Sequence, residues 1–317
     1  MNNNNNPTLE NLQNRTVQNL PVKLIYADSD FAVFDKGTSE FYGEYDEYLS
    51  DQPIDDKIIW HKDLTETDLK KLPAVFSCKL GIMLNQVFYT VYSKKKMRQA
   101  LQSPAHEAAL IDRLMDSMKT KATLAINEKI VEVLSDKDNY NANAWQEISS
   151  DEATIDSQDK AIAFLKLIKR AYNAMDTVST DYNKGYQKPG NSAWNQVLTN
   201  CETPKSKVFT IDPDLLDDLN LYFLSDVNRD SELNPHKIFK KVIPKKLKNG
   251  VLCAMNDEKS VVYRIINDDG VKEAETLGGG MKKFAWEIEV VGGMIPFTNS
   301  WALVKKEKGK ATASGSK

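Results

Sequence analysis

The chain has 317 residues, 41% of them apolar and 27% charged, a water-soluble composition with material for one large or two medium domains. Its 42 Lys and Arg against 45 Asp and Glu leave a formal net charge of −3, without the basic excess that a dedicated nucleic-acid binder needs to neutralise phosphates. No stretch approaches the roughly 18 uncharged apolar residues of a membrane span, and the Asn-rich start lacks the apolar core of a signal peptide.

Residues 1 to about 20 are polar and predict an extended arm with no core of its own. Leu24-Ile25-Tyr26 and Phe31-Ala32-Val33-Phe34 predict short strands, and the acidic, Tyr-rich stretch from Glu40 to Asp56 predicts a loop. Ile58-Ile59-Trp60 and Val75 to Val91 are β-rich and bracket a short charged helical patch, Glu66 to Leu72. The short strand Phe88-Tyr89-Thr90-Val91 then leads through a basic turn, Lys94-Lys95-Lys96 with Arg98, into the strongest signal of the chain. Ser103 suits an N-cap, Pro104 the first helical position and Glu107 the positive first turn. Apolar side chains recur at Ile111, Leu114, Met115, Met118, Ala122, Ala125, Ile126, Ile130, Val133 and Leu134, the period of one helix face. A helix from about 104 to 135 would be roughly 45 Å long, the length of a strut rather than of a pocket wall.

A loop around Asp136 to Asn143 separates this helix from a second, about Asp159 to Asp176, with the stripe Ala161, Phe164, Leu165, Ile168, Tyr172 and Met175. Asp181 to Asn200 is turn-rich. Val208 to Ile211 predicts a buried strand, and Asp212-Pro213 starts a helix through Leu215, Leu216 and Leu219. The last third is β-rich: Val251 to Met255, Val261 to Ile266, Phe284 to Val291 and Thr298 to Val304. In the third of these Phe284, Trp286, Ile288 and Val290 alternate with Ala285, Glu287 and Glu289, which predicts one covered and one charged face.

Little in the chain points to catalysis. His61, His106 and His236 are isolated, with no Cys or His partner at metal-ligand spacing. Cys78, Cys201 and Cys253 are scattered, as expected of buried thiols in a reducing compartment such as a cytoplasm. Gly278-Gly279-Gly280 and Gly292-Gly293 do not stand between a strand and a helix as a phosphate cradle requires, and predict hairpin loops. Asp226 to Glu232 has oxygen ligands at alternate positions, but Ser231 and Lys237 stand where a calcium loop needs Gly and Glu. Asp212, Asp214, Asp217 and Asp218 flank or enter a helix start, where acids suit the dipole.

In this order the elements resemble the major capsid proteins of tailed bacteriophages, whose Johnson fold is shared with encapsulin compartments. The run Phe88 to Leu101, with Asp181-Tyr182-Asn183-Lys184-Gly185, Val208 to Ile211 and Leu221-Tyr222-Phe223-Leu224, is similar to segments of the small podovirus group. The resemblance implies an α+β fold with an N-terminal arm (1–20) and a peripheral domain (21–150). That domain would carry an extended loop (about 41–72) and a spine helix (about 104–135). An axial domain (151–270), a strand returning to the peripheral domain (271–304) and a disordered tail (305–317) would follow.

What the resemblance implies functionally is a shell protein without catalysis, cofactor or metal. Its first partner would be itself, in hexamers and pentamers of an icosahedral shell that encloses double-stranded DNA without sequence-specific binding. Scaffolding and portal proteins would be further partners; the protein would be assembled in the host cytoplasm and end in the virion. Tyr42, Tyr45, Tyr48 and Trp60 are candidate aromatic anchors between subunits. Lys94, Lys95, Lys96 and Arg98 are candidate charged contacts. An encapsulin-like compartment would show a cargo groove, and an α+β enzyme a deep pocket lined with titratable groups.

Overall fold

The computed structural model describes residues 29–38, 45–50, 75–93, 104–187, 192–201, 206–223, 239–275 and 281–306. Three helices and thirteen strands run through them. In chain order these are β1 (Asp35–Thr38), β2 (Tyr45–Ser50), β3 (Val75–Leu80), β4 (Ile82–Ser93) and α1 (Pro104–Leu134). Next come β5 (Trp145–Ile148), α2 (Gln158–Asp176), β6 (Tyr186–Gln187), β7 (Trp194–Asn195), β8 (Lys207–Ile211) and α3 (Pro213–Phe223). The chain finishes with β9 (Lys241–Pro244), β10 (Val251–Asp257), β11 (Val261–Glu275), β12 (Met281–Met294) and β13 (Ser300–Lys305). They fall into two units, each drawn from three separate stretches of sequence.

The described parts of the first unit lie within Met1–Gly43, Gly81–Ser135 and Val261–Gly293. Its sheet has the order β1-β11-β12-β4, with β12 antiparallel to β4 from Met281↔Ser93 to Val290↔Leu84. The alternation expected in β12 holds: Phe284, Trp286, Ile288 and Val290 are buried. The register then shifts, Val291 facing Ile82, so that β4 carries an extra residue, Met83, as a bulge does; Val291 is buried as well as Val290. Leu84 and Phe88 of β4 share the buried face, and α1 packs on β4. Of the expected stripe the helix buries Met115, Met118, Ala122, Ile126, Ile130 and Leu134, with Leu114, Ala125 and Val133 half-buried, and it also buries Val131, Thr123 and Asn127, which apolar periodicity overlooks. Asn127 Oδ1 accepts a 2.7 Å hydrogen bond from Ser29 Oγ, so this polar insertion ties the start of the described chain to the helix.

Four expectations for this region are corrected. Phe31 to Phe34 is not a strand: Ala32–Phe34 is one turn of 3-10 helix. Ser29 Oγ accepts the Phe31 N–H, and Phe31 and Phe34, both fully buried, stack at 6.2 Å, which suits the three-residue period of that helix. The short strand at Phe88 to Val91 is a twelve-residue strand. Gly292 and Gly293 lie in β12 rather than in a hairpin loop. Gly292 is there for space: an added Cβ would sit 2.7 Å from the Val262 carbonyl oxygen. Finally, the Tyr-rich stretch is not all loop, since Tyr45–Ser50 pairs antiparallel with Val75–Leu80; this hairpin belongs to the second unit.

The second unit also includes 136–260 and the described residues from Met294 onward. Its sheet has the order β5-β13-β10-β8-β9; β10 is antiparallel to β13 and β8, and the outer pairs β13–β5 and β8–β9 are parallel. One face packs Phe209, Ile211, Cys253, Met255, Trp301 and Leu303 against α2 and α3. Helix α2 starts at the Ser157 cap, whose hydroxyl accepts the Lys160 N–H, and it buries Ala171 while Tyr172 is only partly covered. Asp212 opens α3 by accepting the Asp214 N–H on its side chain and the Leu216 N–H on its carbonyl, so this acid belongs to a helix start. Strands β5 and β9 were not legible in the hydrophobic pattern; at four residues each they are too short to show a period.

Candidate assembly surface

Most residues singled out as contacts lie outside the described residues: Tyr42, Trp60, Lys94, Lys95, Lys96 and Arg98. Tyr45 and Tyr48 stand on β2, with backbones opposite Leu80 and Ser77 of β3. His61, His236, the Asp226 run and Gly278 to Gly280 likewise fall outside, while His106 lies in the first turn of α1. Among the described residues no group of three His, Cys, Asp or Glu side chains is placed to hold a metal ion. No described helix is long and apolar enough to cross a membrane.

The shifted titratable groups act as packing rather than as chemistry. Burial pushes the Cys201 thiol up to about 12 and the Cys253 thiol higher still, so both stay protonated. Burial likewise raises Tyr140 and Tyr263 well above an ordinary phenol. Lys207, opposite Asp257 on β10, is fully buried; it forms an ion pair with Asp176 at the end of α2 and lies 3.6 Å over the Tyr172 ring. The lysine offsets the carboxylate placed at the negative end of a helix.

In the second unit the described parts of the turn-rich segment are tied down by hydrogen bonds. Asn183 is buried and exchanges two hydrogen bonds with the Val197 backbone, Nδ2 to the carbonyl at 2.7 Å and Oδ1 from the N–H at 3.1 Å. Asn141 Nδ2 donates to the Asn183 carbonyl at 2.8 Å, and the Lys184 and Gly185 N–H groups both donate to the Pro296 carbonyl. Gly185 has φ +85°, and a Cβ there would stand 1.9 Å from the Asn195 carbonyl oxygen. This pinned loop holds Val178, Trp194 and Leu198 in solvent, with Lys184 Nζ 4.4 Å over the Trp194 ring.

The first unit presents a second apolar surface. On the sheet face away from its buried residues, Val87, Tyr89 and Val91 of β4 are exposed, next to Met281 of β12. Apolar side chains held out on ordered backbone suit docking to protein rather than a reaction.

A family model described as "Phi29-like phage major capsid protein" matches residues 1–304. No curated protein matches the sequence. Solved structures do. A chain in the capsid of Staphylococcus phage Andhra is 10% identical with a TM-score of 0.61, over 85% of this chain and 82% of that one. A chain in the mature capsid of bacteriophage PhiM1 is 7% identical with a TM-score of 0.56, over 88% of each chain. A chain in the capsid of Cyanophage P-SCSP1u is 8% identical with a TM-score of 0.55, over 85% of each. At such identities the likeness speaks for the fold: the α+β arrangement is that of tailed-phage capsid subunits.

Proposed function

The chain belongs to the Phi29-like phage major capsid protein family, and from that premise we propose that its copies close into pentamers and hexamers of an icosahedral shell around double-stranded DNA. It is a structural shell protein and part of the virion. The observation that carries the finer reading is the family match, which runs through 304 of 317 residues and so takes in both units.

In this reading residues 1–20 are an arm that orders only on a neighbour, and about 41–72 is a loop reaching towards one, with Tyr42, Tyr45, Tyr48 and Trp60 as anchors. Lys94, Lys95, Lys96 and Arg98 meet acidic partners. Residues 21–150, with α1 as the spine helix and the returning strand at 271–304, are the peripheral domain, and the block from 151 to 270 is the axial domain. Closed rings need contacts between different patches of identical subunits, and permanent ones usually bury more than roughly 2,000 Å². The net charge of −3 suits a container that encloses DNA without gripping it. Scaffolding and portal proteins are the further partners, met in the host cytoplasm.

The test is negative-stain electron microscopy of the full chain produced in bacteria, alone and with a scaffolding protein from the same genome. Closed particles or capsomer rings are expected. A preparation that stays monomeric in both settings would sink the reading.

A further inference from the structure

Edge strands of soluble proteins are kept short, charged or interrupted by proline, because a long uncharged edge pairs with whatever strand it meets. Three of the four edges of the two main sheets obey this rule. Strands β1, β5 and β9 have four residues each. Asp35 and Lys36 stand on β1, which also has a register irregularity; Glu147 stands on β5; Lys241 and a terminal Pro244 stand on β9.

Strand β4 breaks the rule from Leu84 to Ser93, its one register irregularity lying at its start, at Met83. Among the described strands it is terminal in its sheet; it runs twelve residues from Ile82 to Ser93 and carries no charge, proline or glycine. Beyond Asn85 its outward side chains are apolar as well: Val87 is 46% exposed, Tyr89 57% and Val91 45%, beside Met281 at 50% on the adjacent strand. On the same face the neighbouring strand β12 sets Lys283 opposite Val91, its Nζ 4.5 Å over the Tyr89 ring, and Glu287 opposite Val87; these charges belong to β12, and the edge strand itself has none.

Resting on the shell reading above, we propose that β4 is a docking edge for a second copy of this chain, joined β4 to β4, antiparallel, across a two-fold axis. The occupant follows from matching. A strand that satisfies a twelve-residue edge must be of similar length, unpaired on one side and equally uncharged, and among the described edges of the two main sheets only β4 itself has all three properties. An antiparallel two-fold pairing gives both copies the same contacts and closes after one step. It continues the four-stranded sheet into eight strands and sets Val87, Tyr89 and Val91 beside their counterparts as cross-strand neighbours.

The test uses single cysteines at Asn85, Val87, Tyr89 and Val91 in the full chain carrying Cys78→Ser, oxidised singly and in pairwise mixtures. Cross-linked dimers are expected only for positions whose residue numbers add to one constant, the signature of an antiparallel two-fold ladder. No dimers, or dimers without that rule (as when another segment covers the edge), overturn the proposal. A second arm sets Val87→Lys against wild type: at least a tenfold loss of particles is expected, with the far-ultraviolet circular dichroism of unassembled subunits unchanged. Particles at wild-type yield would exclude the contact while leaving the shell reading intact. Ladder-type dimers from a chain that never forms particles would uphold the pairing and remove the shell.

Discussion

At Lys207 the chain holds a fully buried ammonium between the Asp176 carboxylate and the Tyr172 ring. Removing one member of such a pair strands the other charge, whereas replacing both with apolar groups is nearly neutral. Asp176→Asn should therefore cost about 3–5 kcal/mol in urea unfolding of the unassembled subunit, and Asp176→Leu with Lys207→Met should regain most of it. The cysteines divide in the same spirit. Cys201 and Cys253 are buried with raised thiol pKa values, while Cys78 is half-buried. A water-soluble thiol reagent at pH 8 should label one thiol per native chain, at Cys78, and three after denaturation; reaction at Cys253 in the native state would contradict its burial. Residue roles of this kind are poorly legible in sequence. Nothing around Lys207 distinguishes it from the chain's solvated lysines, and Asn127 reads as a polar interruption of a stripe until Ser29 is seen donating to it.

Among the elements, legibility follows length and period. Helices α1, α2 and α3 were visible because each repeats an apolar face over three turns or more, and β12 because Phe284 to Val290 alternates against acids. The turn at Phe31 to Phe34 was not, since a run of aromatic and β-branched residues reads as strand when the hydroxyl that closes the turn goes unweighed. Strand β2 was hidden by its acids, and the Gly292 pair looked like a loop because composition does not show how near another backbone passes. That glycine offers a sharp check. Gly292→Ala puts a methyl against the Val262 carbonyl oxygen, so it should destabilise the subunit by about 1–3 kcal/mol, read as a lower midpoint in chemical denaturation. An unchanged midpoint would mean that β11 yields at no cost. The surface on β4 escaped notice for a related reason: a continuous apolar run does not reveal which of its alternate side chains stays wet.

For the whole molecule, subunit stability and shell formation separate. Each unit has an extensive core among the described residues, and residues 1–20 are polar, so removing them should leave the far-ultraviolet spectrum unchanged and the melting temperature of the subunit within a few degrees of wild type. The same truncation should abolish particles in electron micrographs if the arm joins neighbours. Normal particles from the truncated chain would confine the contacts to the ordered body.

The discontinuous make-up of the first unit has a consequence in time. Strand β4 is joined to β12, which leaves the ribosome roughly 190 residues later, so at about 5–20 residues per second its partner is missing for on the order of 10–40 s. Throughout that interval an uncharged, β-branched and aromatic segment hangs from a growing polypeptide. Chaperone capacity in the infected cell, and the pace of translation between these two strands, then bear on how much subunit reaches a shell.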